Sequence, residues 1–163
     1  MRRLLGTLLL GIAGCGGGPP LLSLSEVPAA GATLELRPVL EGKVGAAVNT
    51  PLGALPQRKR SLRLELREPL RGAPLFAQVY DNAGCLVAWG QAAADQPLLL
   101  SAVADCPNQG QRGPVLRSAS AALLPAERPT ELTLRGSGLL PGVVIQGDGQ
   151  PLPHTWVSPL EVR

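Results

Sequence analysis

The feature that most constrains the fold is a period-two alternation in a chain that is rich in turn residues. Across residues 61–67 (SLRLELR), leucines alternate with charged side chains. Successive side chains of a strand point to opposite faces, so this segment predicts a half-buried strand. The chain also has 20 glycines and 17 prolines, and residues 33–106 contain no stretch with the apolar spacing of a long amphipathic helix. We therefore expect an all-β fold, a small β-sandwich built from short strands and turns.

Further strands are expected at residues 33–40, 74–80, 85–90 and 96–103. Pro38 cannot donate a ladder hydrogen bond, which predicts that the first of these is an edge strand or ends early. The turn sequence DNAG at residues 81–84 predicts a hairpin between the second and third. Residues 41–60 read as a long loop, with a short strand at 44–48 left open. Residues 106–111 (CPNQGQ) have no periodicity and resemble a linker.

The N-terminal sequence MRRLLGTLLLGIAGCGGGPP has two arginines, an apolar run over residues 4–13 and then small residues. A helix of that length rises about 15 Å, roughly half of a bilayer core, so it is too short for a permanent membrane span. A charged start, a short apolar core and small residues at the cleavage point are typical of a secretory signal. Removal of Arg2 and Arg3 with the signal lowers the formal charge of +3 by two.

The four residues Ile12-Ala13-Gly14-Cys15 resemble the lipobox of bacterial lipoproteins. The resemblance implies a signal peptide over residues 1–14, lipidation of Cys15, and attachment to the membrane of the cell envelope. Gly16, which follows the cysteine, makes the outer membrane the expected location, because lipoproteins retained at the inner membrane tend to carry Asp there. The alternative is an ordinary signal peptide with Cys15 as a free thiol. Residues 15–32 are expected to be the lipidated cysteine and a flexible tether.

Once Cys15 is assigned to lipid, Cys85 and Cys106 remain, and an even pair in an exported protein indicates a structural disulfide. The chain-entropy model gives such a bridge about 3 kcal/mol. The alternative is two free thiols. A zinc site is disfavoured because two cysteines and one distant histidine lack a ligand spacing, and redox catalysis is disfavoured because Cys-x-x-Cys is absent.

The C-terminal residues 114–163 resemble an IPT/TIG domain, an immunoglobulin-like module of bacterial surface proteins. The matching features are a proline-led strand at 114–118, the segment LTLRGSGL at 132–139, Pro141-Gly142, a hairpin at GDG (147–149) and TWVS at 155–158. We expect residues 143–145 to pair with 152–157. Such modules usually continue further, so either an edge is left unpaired or the preceding domain completes the sheet. The domain plan is therefore a disulfide-containing β-sandwich over 33–111 and the module over 112–163.

No constellation of residues indicates catalysis, a cofactor or a metal. His154 is the only histidine, which excludes a histidine-based triad, and it is expected to be exposed. The aspartates Asp81, Asp95, Asp105 and Asp148 stand beside turn residues. The four aromatic residues are too few to indicate stacking on nucleic acid, so no nucleic-acid partner is expected.

One surface feature stands out, a group of basic residues with two interpretations. Its members are Arg58, Lys59, Arg60, Arg63, Arg67 and Arg71. The favoured interpretation is a solvated strand face that also blocks edge pairing, with Glu65 and Glu68 diluting the charge, and the other is a surface that holds anionic lipid head groups or acidic glycans. The expected function is a non-catalytic, lipid-anchored binding or scaffolding module of the envelope, with an envelope protein or glycan as partner. The other hypothesis is an accessory subunit, or an enzyme that uses carboxylates.

Overall fold

The computed structural model of the chain describes residues 20–53, 61–120 and 130–163. Within these ranges the backbone forms strands, turns and irregular connections and no helix, so the predicted all-β fold class is confirmed. The strands before residue 112 are β1 (Leu21–Ser25), β2 (Thr33–Leu40), β3 (Lys43–Val44), β4 (Val48–Pro51), β5 (Ser61–Glu65), β6 (Leu75–Tyr80), β7 (Leu86–Ala92), β8 (Leu98–Leu99) and β9 (Ser101–Ala102).

These strands form two sheets that enclose an apolar core. The first sheet has the order β5-β1-β8, and the second has the order β3-β2-β6-β7-β9, with β4 also paired to β2. Leu24 of β1, Leu34 of β2 and Val79 of β6 are at most 1% exposed and belong to one cluster. Full burial of such a side chain stabilises the fold by about 1.5–3 kcal/mol. The two sheets therefore pack on each other around one continuous core, as the predicted β-sandwich requires.

The strand β5 confirms the alternation that first indicated a strand. Leu62 and Leu64 are half-buried against the core, while Arg63 and Glu65 are exposed. The leucines are not fully buried because β5 lies at the edge of its sheet. Among the described strands, only β1 pairs with it. The strand ends at Glu65, two residues earlier than predicted.

The strand β1 corrects the tether expected over residues 15–32. Leu21–Ser25 lies in the middle of the first sheet, antiparallel to β5 and parallel to β8. Leu22 and Leu24 are 3% and 1% exposed, and burying them outweighs the turn-forming residues on either side. The tether prediction is thus wrong from Leu21 onwards, whereas residues 15–19 lie outside the described residues.

The position of β2 corrects the prediction made from Pro38. This strand is not at an edge, because β6 pairs with one side and both β3 and β4 pair with the other. The amide of Val39 donates to Pro74 O on the β6 side, while Pro38 O accepts from Gly45 on the opposite side. Since the N and O of one residue point the same way in an antiparallel ladder, the missing N–H of Pro38 faces the break between β3 and β4.

Residues 41–60, expected to be mainly loop, contribute the short strands β3 and β4 to this sheet. Residues 54–60 lie outside the described residues. The turn between β2 and β3 consists of Glu41 and Gly42, with φ of 51° and 76°. Two consecutive left-handed residues make the tight turn that suits the twist of a hairpin.

The segment 96–103 forms two strands rather than the single one predicted. Leu98–Leu99 pairs with β1 in the first sheet, whereas Ser101–Ala102 pairs with β7 in the second. Leu98 and Leu100 are 0% and 3% exposed. The chain therefore crosses from one sheet to the other, because both leucines reach the core only along this path.

The hairpin predicted between the second and third strands is confirmed as β6 and β7, which are antiparallel. Asp81 Oδ1 accepts hydrogen bonds from the amides of Ala83 and Cys85 at 2.9 and 2.8 Å. Gly84 adopts φ of 80°, a conformation that costs glycine nothing. The aspartate side chain thus stabilises the turn, and the glycine supplies the left-handed residue from which the chain enters β7.

The C-terminal strands are β10 (Val115–Ala119), β11 (Leu134–Ser137), β12 (Gln146–Gly147), β13 (Gln150–Pro151), β14 (Trp156–Ser158) and β15 (Glu161–Val162). They form a sheet of order β10-β11-β15-β14 and the separate hairpin β12-β13. The hairpin turns at Asp148 and Gly149, with φ of 50° and 77°. The predicted pairing of 143–145 with 152–157 is therefore only partly correct, because β14 folds back onto β15.

The described strands of the C-terminal sheet do not share ladder hydrogen bonds with the sandwich. The alternative in which the preceding domain completes the sheet by strand pairing is thus not seen in the described part of the chain, and β14 lies at an edge. The domain boundary between residues 111 and 112 stays a prediction. What joins the two parts is side-chain packing, which is described below.

The sandwich has two ends, which we name by residues found there. At the Pro20 end, the amide of Leu66 donates to Pro20 O at 2.9 Å, and the amide of Val39 donates to Pro74 O at 2.8 Å. The loop 66–74 therefore lies beside both the start of β1 and the end of β2. The disulfide end carries the β6–β7 turn, and Ser61 lies towards it because β5 runs antiparallel to β1.

Candidate functional site

The outer face of the second sheet is the place where the two parts of the molecule meet. All six residues of β6 are buried, although only alternate ones face the sandwich core. On the outer side, Glu35 of β2, Gln78 of β6 and Trp89 of β7 stand opposite one another in register. Glu35 and Gln78 are 5% and 2% exposed. A covering layer must therefore lie over this face, and the C-terminal part supplies it.

Three aromatic rings make the apolar half of this contact. Trp156 of β14 packs edge-on against Phe76 and Trp89, with ring centroids 5.9 and 5.7 Å apart. Its indole Nε1 donates a hydrogen bond to Leu139 O at 2.6 Å. Edge-to-face pairs of this kind add about 0.5–1.5 kcal/mol to the area they bury. The contact therefore holds β14 on the outer face of the sandwich.

An ion pair between a buried carboxylate and two more exposed arginines makes the polar half. The Arg112 guanidinium donates to Glu35 Oε1 at 2.8 Å, and Arg37 approaches Glu35 Oε2 at 3.4 Å. Arg112 also stands 4.8 Å above the centroid of the Tyr80 ring, within the range of a cation–π contact. Burying a carboxylate that is 5% exposed is costly unless such partners replace its lost hydration. We name these contacts, with the aromatic ones, the joint.

Burial within the joint changes the acidity of the only tyrosine in the chain. Desolvation, followed by the negative charge of Glu35, raises the pKa of Tyr80 from 10.0 to about 12, against the opposite effect of Arg112 and Arg37. The phenol thus stays neutral throughout the physiological range. In this arrangement Glu35 pairs with Arg112 and Arg37, and the Tyr80 ring packs against Arg112.

The predicted disulfide between Cys85 and Cys106 is confirmed. It joins the start of β7 to the segment that follows β9. Residues 106–111 are not the linker that their composition suggests, because Asn108 is 3% exposed. Its Oδ1 accepts from the amide of Leu86 at 2.8 Å, and its Nδ2 donates to Gly84 O and Gln111 O, both at 2.7 Å.

Sequence reasoning missed Asn108, Glu35 and Arg112, the residues that organise these contacts. Asn108 had one local signal, a position two residues after a cysteine in a turn-rich stretch. Glu35 and Arg112 had none, because 77 positions separate them in sequence. An exposed glutamate on a strand looks the same in sequence as a buried one.

The basic group predicted as a surface site is only partly within the described residues. Arg58, Lys59 and Arg60 lie outside them. Arg63, Arg67 and Arg71 are exposed, and Arg71 Nε donates to Leu66 O at 2.9 Å. Arg67 and Arg71 lie at the Pro20 end, whereas the chain enters β5 at Ser61 from the disulfide end. Arg67 and Arg71 therefore lie beyond one end of β5, and Ser61 lies at the other end.

Other candidate residues fall where their sequence context indicates. Asp95, Asp105 and Asp148 have φ between 50° and 60°, the left-handed conformation that aspartate tolerates in turns. His154 is exposed, with Nδ1 2.9 Å from Leu152 O. In the described ranges, no three His, Cys, Asp or Glu residues converge as a metal site.

Two surface cavities accompany these features. One of about 270 Å³ lies between the sheets at their open edge and is lined by Leu36, Val48, Leu64 and Leu70 among others. Another of about 350 Å³ lies where Lys43 and Val44 meet Pro141 and Val143 of the C-terminal part. Apolar and polar side chains line the first cavity in equal number, the second is lined mainly by apolar ones, and neither includes residues of the joint.

Cys15, the predicted lipidation site, lies outside the described residues. Within those residues, no helix has the length and apolarity required to cross a membrane. Comparison of the chain with protein-family models, with curated proteins and with solved structures finds no match.

Proposed function

We propose that the chain is a lipoprotein of the bacterial cell envelope, anchored through acyl chains on Cys15 and acting as a non-catalytic binding or scaffolding module. The observation that carries this proposal is the Cys85–Cys106 disulfide. Disulfides form and persist in oxidising compartments, so the bridge agrees with export. It also leaves Cys15 as the unpaired member of the three cysteines, at the position where the lipobox resemblance requires a free thiol.

The scaffolding role is supported by the joint. Trp156 and Arg112 hold the C-terminal part against the sandwich through ring packing and an ion pair to the buried carboxylate of Glu35. Glu35 and Tyr80, which could otherwise serve as acid–base groups, are engaged in that contact. Among the described strands, β10 and β14 are the edges of the C-terminal sheet, the positions at which a partner strand can add to a sheet. We propose residues 112–163 as an IPT/TIG-like module with an envelope protein or glycan as partner.

The location follows from the same resemblance. Gly16 after the lipidated cysteine makes the outer membrane the proposed site of attachment. One acyl chain gives marginal binding and two or more give stable binding, so a diacylated or triacylated Cys15 is expected to stay with the membrane.

The anchor is tested by expressing the parent chain and the Cys15→Ser variant in a bacterial host. We expect the parent in the membrane fraction, with a mass that includes lipid on a chain starting at Cys15. The Cys15→Ser variant is expected in the soluble fraction. A Cys85→Ser, Cys106→Ser double variant serves as the control, because it should remain in the membrane. Membrane retention of Cys15→Ser would refute the anchor.

The binding role is tested by pull-down from envelope fractions. Capture of one protein or glycan by the parent chain, at a defined stoichiometry, would support a binding module. Neutralising the described arginines (Arg63→Gln, Arg67→Gln, Arg71→Gln) tests whether the basic group takes part. Exposed Arg117 on β10 gives a matched control, Arg117→Gln. Loss of capture with Arg117→Gln alone would move the binding surface to β10.

A further inference from the structure

We infer that the Pro20 end of the sandwich rests on the phospholipid surface, with exposed apolar side chains in the headgroup region and the disulfide end directed away. This inference rests on the proposed anchor at Cys15. It adds an orientation and an interaction surface, which anchoring alone does not specify.

The first argument is the length of chain between anchor and fold. Strand β1 begins at Leu21, so only residues 15–20 connect the lipid to the sandwich. An extended chain covers at most about 3.6 Å per residue, which keeps Pro20 within about 18 Å of the Cα of Cys15. The eight residues of β2 extend about 26 Å at the usual rise. The Pro20 end is therefore held near the membrane, and the disulfide end is not.

The second argument is the apolar surface at that end. Leu21 at the start of β1 is 59% exposed, and Leu40 at the end of β2 is 60% exposed. The C-terminal part reaches the same end, because a Cβ added to Gly142 would lie 2.9 Å from Gly42 O. Val144, two residues further along, is 61% exposed. Each of these side chains gains free energy by entering the interfacial region of a bilayer.

The third argument concerns charge. The exposed cations of the described segments at this end are balanced by exposed acids of the same segments: Lys43, Arg67 and Arg71 against Glu41, Glu65 and Glu68. Net attraction to anionic lipid is therefore small, and the contact depends on the apolar side chains. The long arginine and lysine stems can lie along the interface with their charges in water.

The two lysines of the chain, Lys43 and Lys59, provide the test. Lys43 lies at the Pro20 end. Lys59 lies outside the described residues, but it precedes Ser61 by two positions in the sequence, and Ser61 starts β5 towards the disulfide end. The lipidated chain is placed in nanodiscs of phosphatidylcholine and treated with a bulky, membrane-impermeant amine reagent. Modification of each lysine is measured by mass spectrometry, and the Cys15→Ser chain in solution is the reference.

We expect Lys43 to react several-fold more slowly in nanodiscs than in solution, and Lys59 to react at the same rate in both. Equal rates for Lys43 in both states, or equal slowing of Lys59, would overturn the inference while leaving the anchor intact. A chain that carries no lipid by mass would overturn the proposed function and the inference with it.

A pair of variants tests whether Lys43 is protected by the apolar contact or only by the short connection to the anchor. The double variant Leu21→Ser, Leu40→Ser should restore Lys43 reactivity in nanodiscs. The matched control is Leu99→Ser, since Leu99 is 62% exposed and stands opposite Ser25, away from Pro20. The inference fails if the double variant remains as protected as the parent chain. It also fails if protection requires phosphatidylglycerol, because that would make charge the cause.

Discussion

Replacing Trp156 with alanine tests whether the joint holds the C-terminal part on the sandwich. The substitution removes ring contacts at 5.9 and 5.7 Å, each about 0.5–1.5 kcal/mol. It also removes the hydrogen bond to Leu139 O, about 0.5–1.5 kcal/mol. A fully buried tryptophan costs about 3–5 kcal/mol when truncated to alanine. Because Trp156 is half-buried, we expect a loss of about 2–4 kcal/mol.

The measurement is equilibrium unfolding in urea, followed by circular dichroism, on the soluble Cys15→Ser chain. Trp89 is the only tryptophan left in the Trp156→Ala variant, so its fluorescence reports the loss of its covering ring. We expect its emission to move to longer wavelength in the absence of urea. The variant Trp156→Phe keeps a ring without the N–H donor and should lie between the parent and Trp156→Ala.

The matched control is Val157→Ala, one residue further along β14, whose side chain is 39% exposed. Surface substitutions usually change stability by less than about 0.5 kcal/mol. If Trp156→Ala is no more destabilising than Val157→Ala, and Trp89 emission does not change, the rings do not join the two parts. The joint would then have to be abandoned as the basis of the scaffold.

Three further predictions concern the same region and the disulfide end. Ultraviolet absorbance should show Tyr80 ionising at about pH 12 in the folded chain. Because this pKa exceeds the value of 10.0 for the unfolded phenol, the contribution of neutral Tyr80 to folding stability is complete below pH 10 and is lost as pH rises to about 12. Ionisation near pH 10 would contradict burial of the phenol. Asn108→Ala should lower the free energy of unfolding in urea by about 1–3 kcal/mol, because it leaves the amide of Leu86 without its partner. The control Gln109→Ala, at the exposed neighbouring position, should leave this free energy unchanged. Reducing the Cys85–Cys106 bridge should cost about 2–4 kcal/mol, and an unchanged unfolding midpoint after reduction would contradict this.

The parts of the fold that were predictable are those controlled by neighbouring residues. The alternation at 61–67 and the turn at 81–84 each depend on residues within a few positions, and both are found. The disulfide was predictable for another reason, since the expectation of export left a disulfide as the main use for the two remaining cysteines. Local sequence was misleading at β1, where prolines and glycines surround two core leucines. It was also misleading at Pro38, whose missing N–H faces the break between β3 and β4, which the residues around Pro38 do not reveal.

The sequence by itself determined that this chain is all-β, that Cys85 and Cys106 pair, and where a lipid anchor is expected. The first two follow from side-chain alternation, turn chemistry and cysteine number, which act over short distances or by counting, and the third is what the lipobox resemblance implies. Only the tertiary structure decided that Trp156 covers Phe76 and Trp89, and that Arg112 reaches Glu35. Such contacts depend on where the covering part docks, and sheet packing brings residues together regardless of their separation in sequence.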